Sequence, residues 1–190
     1  MGLRLVPYTA EGAQVARHLR IAQSPEGGPP VGALAVRLQS AQDAVDLQAQ
    51  DLIEEPDFID SYADMDAFFA RQTRLATLMA QPQVVLHWQA APGAPTLAST
   101  LSVTPRRDPA SLPLVFWFQL FAGAASLLIG AWVFALRPND WGQRMLAACG
   151  LAFPLSTMTA AVYSTRELAI DGTVFRWLST ANHTGALMFG

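Results

Sequence analysis

The sequence predicts a small α+β soluble domain followed by α-helical transmembrane segments, a helical hairpin and the start of a third span. Three observations lead there. The run Leu112 to Leu136, "LPLVFWFQLFAGAASLLIGAWVFAL", is 25 residues without a charge; as a helix it is about 37 Å long, more than the roughly 30 Å of bilayer hydrocarbon. A second run, Met145 to Tyr163, adds 19 uncharged residues after a turn built from Pro138, Asn139, Asp140 and Gly142. Residues 1–105, by contrast, carry most of the charge and mix short strand patterns with one amphipathic helix.

Within residues 1–105 the elements follow from local patterning. "LRLVPY" (Leu3 to Tyr8) alternates as a strand. "TAEGAQVARHLRI" after it has helical spacing at Val15, Ala16 and Leu19, which places His18 on an amphipathic helix. "QSPEGGPP" (Gln23 to Pro30) is a loop by its Gly and Pro content, and "VGALAVRLQS" (Val31 to Ser40) reads as a strand. An acidic bend, "DLIEEPDFIDSYADMD", leads into the best helix of this half. Ser61 is its cap with Asp64 three residues on, Met65, Phe68, Phe69, Leu75, Leu78 and Met79 form its apolar face, and Pro82 stops it. "QVVLHWQ" (Gln83 to Gln89) and "TLASTLSVTP" (Thr96 to Pro105) are then two strands joined by "AAPGAP", a hairpin.

Residues 106–111 read as a linker and 112–190 as membrane helices at 112–136, 145–163 and 173–190, the last incomplete. Phe116, Trp117, Phe118, Trp132 and Trp141 bracket the first span, with Arg137 and Arg144 beyond it, as expected where aromatic edges and snorkelling guanidinium groups meet headgroups. Pro154 lies inside the second span and predicts a kink near Gly150, with Ser156 and Thr157 near the freed backbone groups. Small residues recur every four positions at Ala122, Ser126 and Gly130, and at Ala148, Ala152, Ser156 and Ala160, so the two stripes are expected to face each other. "TVFRWLSTANHTGALMFG" (Thr173 to Gly190) opens with an interfacial Arg176 and Trp177, turns apolar and breaks off part way through a span.

Composition bounds the function. The chain has 190 residues, 52% of them apolar and 14% charged, with a mean hydropathy of +0.25. Residues 1–112 hold 8 Arg and 12 acids, whereas residues 113–190 hold 4 Arg and 3 acids, and there is no Lys. An acidic soluble half argues against nucleic acid as a partner, because phosphate binding needs a basic face. Cys149 is alone, inside the second span, so no intramolecular disulfide is available. No catalytic, cofactor-binding or metal-binding residue is assigned. Glycine-rich nucleotide loops, Cys and His at metal spacing, and a G-x-S-x-G elbow are all lacking. His18 and His87 read as structural. His183, in "ANHTGA", is either a sensing element at membrane depth or an interfacial residue without a role. The cluster Asp51, Glu54, Glu55, Asp57, Asp60, Asp64 and Asp66 lacks calcium-loop spacing and is explained as well by the solvated start of a helix as by a cation or basic-peptide site.

Two resemblances add to this reading. The stretch "DAFFARQTRLATLMAQPQVVLHWQAAPGAPTLASTLSVTP" resembles the closing helix and last two strands of a PDZ-like domain, in which a peptide adds to a sheet edge; the family's carboxylate-binding loop has no counterpart here. More widely, "DLIEEPDFIDSYADMDAFFARQ", "ALRPNDWGQRMLAACG" and "AVYSTRELAIDGTVFRWLSTANHTGAL" are similar to the amino-terminal sensory and membrane region of a group of bacterial sensor histidine kinases. That resemblance implies a multi-pass inner-membrane protein and an extracytoplasmic PDZ-like module. It also implies a homodimer, an extracytoplasmic ligand or peptide, and a response regulator reached through a kinase domain this sequence does not contain. ATP and Mg would belong to that domain, and no cofactor is expected here. Counting Arg near the spans sets Arg106, Arg107, Arg166 and Arg176 against Arg137 and Arg144. That count places the soluble half in the cytoplasm, whereas the resemblance places it outside and is followed here. The alternatives are a membrane-anchored peptide-binding quality-control or protease accessory protein, and an integral membrane protein without a signalling role.

Overall fold

The computed structural model describes residues 2–9, 18–53, 59, 61–103, 109–136 and 139–187. The chain divides into two compact units: Met1–Arg107 together with Glu167–Gly172, and Asp108–Arg166 together with Thr173–Gly190.

The first unit is an antiparallel sheet with one helix. Its strands are β1 (Arg4–Tyr8), β2 (His18–Gln23), β3 (Leu34–Gln39), β4 (Ala44–Asp46), β5 (Gln83–Gln89) and β6 (Thr96–Ser102), in the order β1-β2-β3-β5-β6 with β4 beside β3. α1 (Tyr62–Met79) connects β4 to β5. Its start is the expected one: the Asp64 backbone N–H donates to Ser61 Oγ at 3.3 Å, which satisfies one of the open donors of the first turn. Phe68, Phe69, Leu75 and Leu78 are buried along the helix, and Gln72 is buried on the same side. The predicted hairpin is also present, with seven pairs in unbroken register from Gln83↔Ser102 to Gln89↔Thr96 and Gly93 at positive φ in its loop.

One element departs from the sequence reading. His18 and Leu19 lie on β2 and not on an amphipathic helix. The helical spacing of Leu19 is overridden by the alternation of buried Leu19 and Ile21 with exposed His18 and Arg20, which pairs this stretch with both β1 and β3. Residues 10–17, the rest of that expected helix, lie outside the described residues. The short strand β4 has too few residues for its own pattern and exists because it pairs with β3 through Arg37↔Asp46, Leu38↔Val45 and Gln39↔Ala44.

The core joins Leu19, Ile21, Leu38, Leu75, Val84 and Leu86 with Leu168, which comes from the far side of two long helices in sequence. Burying a side chain of this size stabilises by roughly 1.5–3 kcal/mol, so the distant leucine is an integral part of this core.

The second unit is helical: α2 (Leu114–Leu136), α3 (Trp141–Ser164) and α4 (Gly172–Leu187), whose first residue belongs to the sheet unit. α3 begins four residues before the expected run because the Asp140 side chain caps it, accepting from the Gly142 N–H at 2.9 Å. It continues through Pro154 as one helix.

The α2–α3 contact is made by small residues. A Cβ on Gly130 would lie 3.0 Å from the Gly150 Cα, and one on Gly123 would lie 3.3 Å from the Pro154 Cα and 2.8 Å from Thr157 Oγ1. Backbones this close need glycine, and in lipid such packing replaces the hydrophobic drive that helices lack there. Gly130 and Ser126 are on the contact as expected. The α3 stripe of Ala152 and Ser156, expected against α2, packs on α4 instead: a Cβ on Gly185 would lie 2.8 Å from the Ala152 carbonyl oxygen and 2.9 Å from the Ser156 nitrogen. Two stripes on opposite faces of α3 serve two neighbours.

Candidate functional site

Two features combine chemistry-bearing side chains with structural leverage: the junction of α1 with residues 167–172, and a polar chain between α3 and α4.

α1 is anchored at its centre by Asp51. This carboxylate is fully buried; Arg71 Nη2 donates to its Oδ2 at 2.9 Å and Arg71 Nε to its Oδ1, while the Gln48 N–H donates to Oδ2 at 2.8 Å. Arg71 also donates to the Asp46 carbonyl, and Gln72 Nε2 donates to the Asp51 carbonyl at 2.9 Å. A fork of two parallel bonds is the strongest geometry available to this pair. Asp51 is thus a structural ion-pair partner and not part of a solvated acidic surface. Asp64 and Asp66 lie on α1, while Glu54, Glu55, Asp57 and Asp60 lie outside the described residues. Among the described residues no group of acids, His or Cys has metal-holding proximity.

On the same stretch of α1, Phe69 and Thr73, which flank Arg71, receive the segment between α3 and α4. Thr73 Oγ1 accepts from the Gly172 N–H at 2.9 Å. A Cβ on Gly172 would sit 1.9 Å from the Phe69 carbonyl oxygen and 2.7 Å from Thr73 Oγ1, so no other residue fits without moving α1 or the segment. Leu168, 3% exposed, is inserted in the sheet core, with Ala169 packed against it. α4 therefore starts from a residue fixed to α1. No signal in the sequence marks this. Leu168 is a lone apolar residue in "STRELAIDG", and Gly172 reads as an ordinary turn glycine.

The polar chain lies within the helical unit. Ser156 Oγ donates to Asn182 Oδ1 at 2.6 Å, and Asn182 Nδ2 donates to Tyr163 Oη at 2.9 Å. The Tyr163 ring stacks on Phe175 with centroids 5.4 Å apart, and the Arg166 guanidinium lies 4.6 Å from the Phe175 centroid. Such contacts order the end of α3 against the start of α4. His183, the residue the sequence singles out, is next to this chain, and its Nδ1 donates to the Ser179 carbonyl of its own helix at 2.6 Å. The sequence pointed one residue away from Asn182, whose amide bridges the helices. His87 Nε2 meets Gln39 Oε1 at 2.9 Å across β3 and β5, a strand pairing.

No known protein family, curated protein or solved structure matches this chain.

The surface ion pairs are weaker features. Arg74 Nε donates to Asp43 Oδ2 at 2.5 Å, and this hydrogen bond is the main reason the Asp43 carboxyl falls to about 2. Arg37, donating to Asp46, holds that carboxyl below its usual range in the same way. Asp43 and Arg74 line a pocket of about 140 Å³ together with Ser40, Gln42, Thr77, Leu78 and Gln81.

The surface of the helical unit suggests association with a membrane. α2 and α3 are 23 and 24 residues long and apolar enough to cross a membrane, and only 11% and 22% of their most apolar stretches are buried. Phe121 is 73% exposed, Leu128 70% and Trp132 70%. The core helix of a water-soluble protein hides such residues, and soluble proteins rarely carry an uncovered apolar surface of this extent.

Proposed function

We propose that this chain is the sensory and signal-transmission region of an integral membrane sensor histidine kinase, with the sheet unit as an extracytoplasmic PDZ-like receiver and α2, α3 and α4 as membrane helices. The kinase part of this reading comes from the sequence resemblance. The transmission part is supported by one observation: residues 167–172, which join α3 to α4, are built into the sheet unit's core and fixed to α1.

If α2 and α3 both cross the bilayer, the chain returns to the side it left, and a segment following α3 is free to join the domain that precedes α2. Leu168 and Gly172 do join it. A shift of α1 on ligand binding then acts on Gly172, the first residue of α4. An effector acts by differential affinity for two arrangements. Here the two arrangements are those of the α1 and Gly172 contact.

The test uses the longer reading frame that this proposal requires. Membranes carrying that protein are expected to incorporate phosphate from ATP on histidine, and Leu168→Ala is expected to change the dependence of that labelling on the soluble unit while leaving the protein in the membrane. Absence of histidine phosphorylation overturns the kinase reading; ordinary regulation in the Leu168→Ala protein overturns the transmission route.

A further inference from the structure

The sheet protects two of its edges and leaves the third open. β1 is five residues long, contains Arg4 and Pro7, and has an irregular step between Arg4 and Leu5. β4, which extends the same side of β3, has three residues and carries Asp46 paired with Arg37. Charge, proline, irregularity and shortness are the devices that discourage pairing with another chain. β6 has none of them. Its sequence "TLASTLS" is seven residues without charge or proline and in continuous register with β5. Thr96, Leu97, Ala98 and Thr100 are exposed, and among the described residues only β5 pairs with this strand.

We propose that β6 pairs antiparallel with β6 of a second copy, about a two-fold axis through Ser99, so that two sheets become one. This register sets Thr96 opposite Ser102, Leu97 opposite Leu101, and Ala98 opposite Thr100 in both directions. An isologous contact must be complementary to itself, and an uncharged strand meets its own copy without repulsion. Leu97, half exposed, gains the other copy's Leu101 as a cross-strand neighbour, while small hydroxyl and methyl side chains line the other face. An extended peptide of another protein uses the same backbone groups. The small, neutral side chains of β6 supply no charge to select one, and this favours a second copy. The pairing deepens the receptor reading by naming what joins its protomers.

The experiment uses the full chain in proteoliposomes with Cys149→Ala and a single new cysteine. Directly opposed strand residues have Cα atoms about 4.5–5.5 Å apart, within disulfide reach. Copies of position 97, or of position 101, are four strand steps apart, roughly 13 Å, and out of reach. Mild oxidation is expected to cross-link Ser99→Cys and to leave Leu97→Cys and Leu101→Cys monomeric. Adding Leu97→Lys to Ser99→Cys is expected to abolish the cross-link while the β5 amides keep their hydrogen-exchange protection. No cross-link at 99, or equal yields at 97, 99 and 101, overturns the pairing. An adduct at 99 with a different polypeptide overturns it in favour of peptide addition. Flotation of the same liposomes reads membrane insertion separately, so failure of the edge contact and failure of the membrane reading are distinguishable.

Discussion

The sheet unit and the helical unit solve the packing problem in opposite ways. In the sheet unit large side chains are hidden: Leu19, Ile21, Leu38 and Leu86 are fully buried and the polar residues face outward or pair. Along α2 and the part of α3 packed on it, large side chains such as Phe121, Leu128 and Trp132 are displayed while Gly123, Gly130 and Gly150 lie at the contact; Tyr163 and Phe175, where α3 meets α4, are the buried exceptions. The first arrangement is driven by removing apolar area from water. The second suits the membrane reading proposed above, since in an apolar solvent close backbone approach is what remains to hold helices together.

The difference can be broken first at Arg71. Arg71→Met leaves the fully buried Asp51 without its counter-charge, and loss of one partner of a buried pair costs about 3–5 kcal/mol. The expected result is loss of hydrogen-exchange protection across β3 and β5 with the helical unit's protection retained. Next is Gly172→Ala. The added methyl collides with the Phe69 carbonyl, and overpacking of this kind costs about 1–3 kcal/mol. Exchange is expected to rise in residues 167–172 and in the second half of α1, and limited proteolysis is expected to cut after Arg166.

Gly130→Leu acts on the other unit at a similar or smaller cost. It forces α2 and α3 apart where Gly130 and Gly150 touch, so thermal stability in detergent is expected to fall while the sheet unit's exchange pattern is unchanged. The same leucine placed on the exposed face, as Ala131→Leu, is expected to do nothing. The smallest effect is that of pH on Asp43. Its carboxyl titrates lower in the folded chain, at about 2, than its ordinary 3.8. The Arg74 bond therefore contributes fully above that ordinary value and is lost as pH falls through about 2. Both side chains are substantially exposed, so solvent screening keeps the contribution small. The urea midpoint of the sheet unit is expected to drop between pH 5 and pH 2, and Arg74→Gln is expected to remove part of that drop.

What the sequence revealed follows the same division. Long uncharged runs are unmistakable because their signal is summed over twenty residues, and α2 was located to within two residues at its start. α1 was readable from Ser61, Asp64 and the spacing of Phe68, Leu75 and Leu78. The β5–β6 hairpin was readable from alternation around "AAPGAP". Two strands were not. β2 has helical spacing on paper and becomes a strand through its pairing with β1 and β3; β4 is too short to show a period. The junction was wholly invisible, since Leu168 and Gly172 take their roles from residues about a hundred positions away. Asn182 was hidden for the same reason, because its partners Ser156 and Tyr163 are on another helix.

The central claim is that α2 and α3 cross a bilayer as a hairpin and return residues 167–172 to the side of the sheet unit. Single cysteines at Ala91, Asn139 and Ile170, in a Cys149→Ala chain, test it by labelling with a membrane-impermeant maleimide in sealed vesicles of each orientation. Ala91→Cys and Ile170→Cys are expected to react in one orientation and Asn139→Cys only in the other. Labelling of all three from the same side contradicts the account.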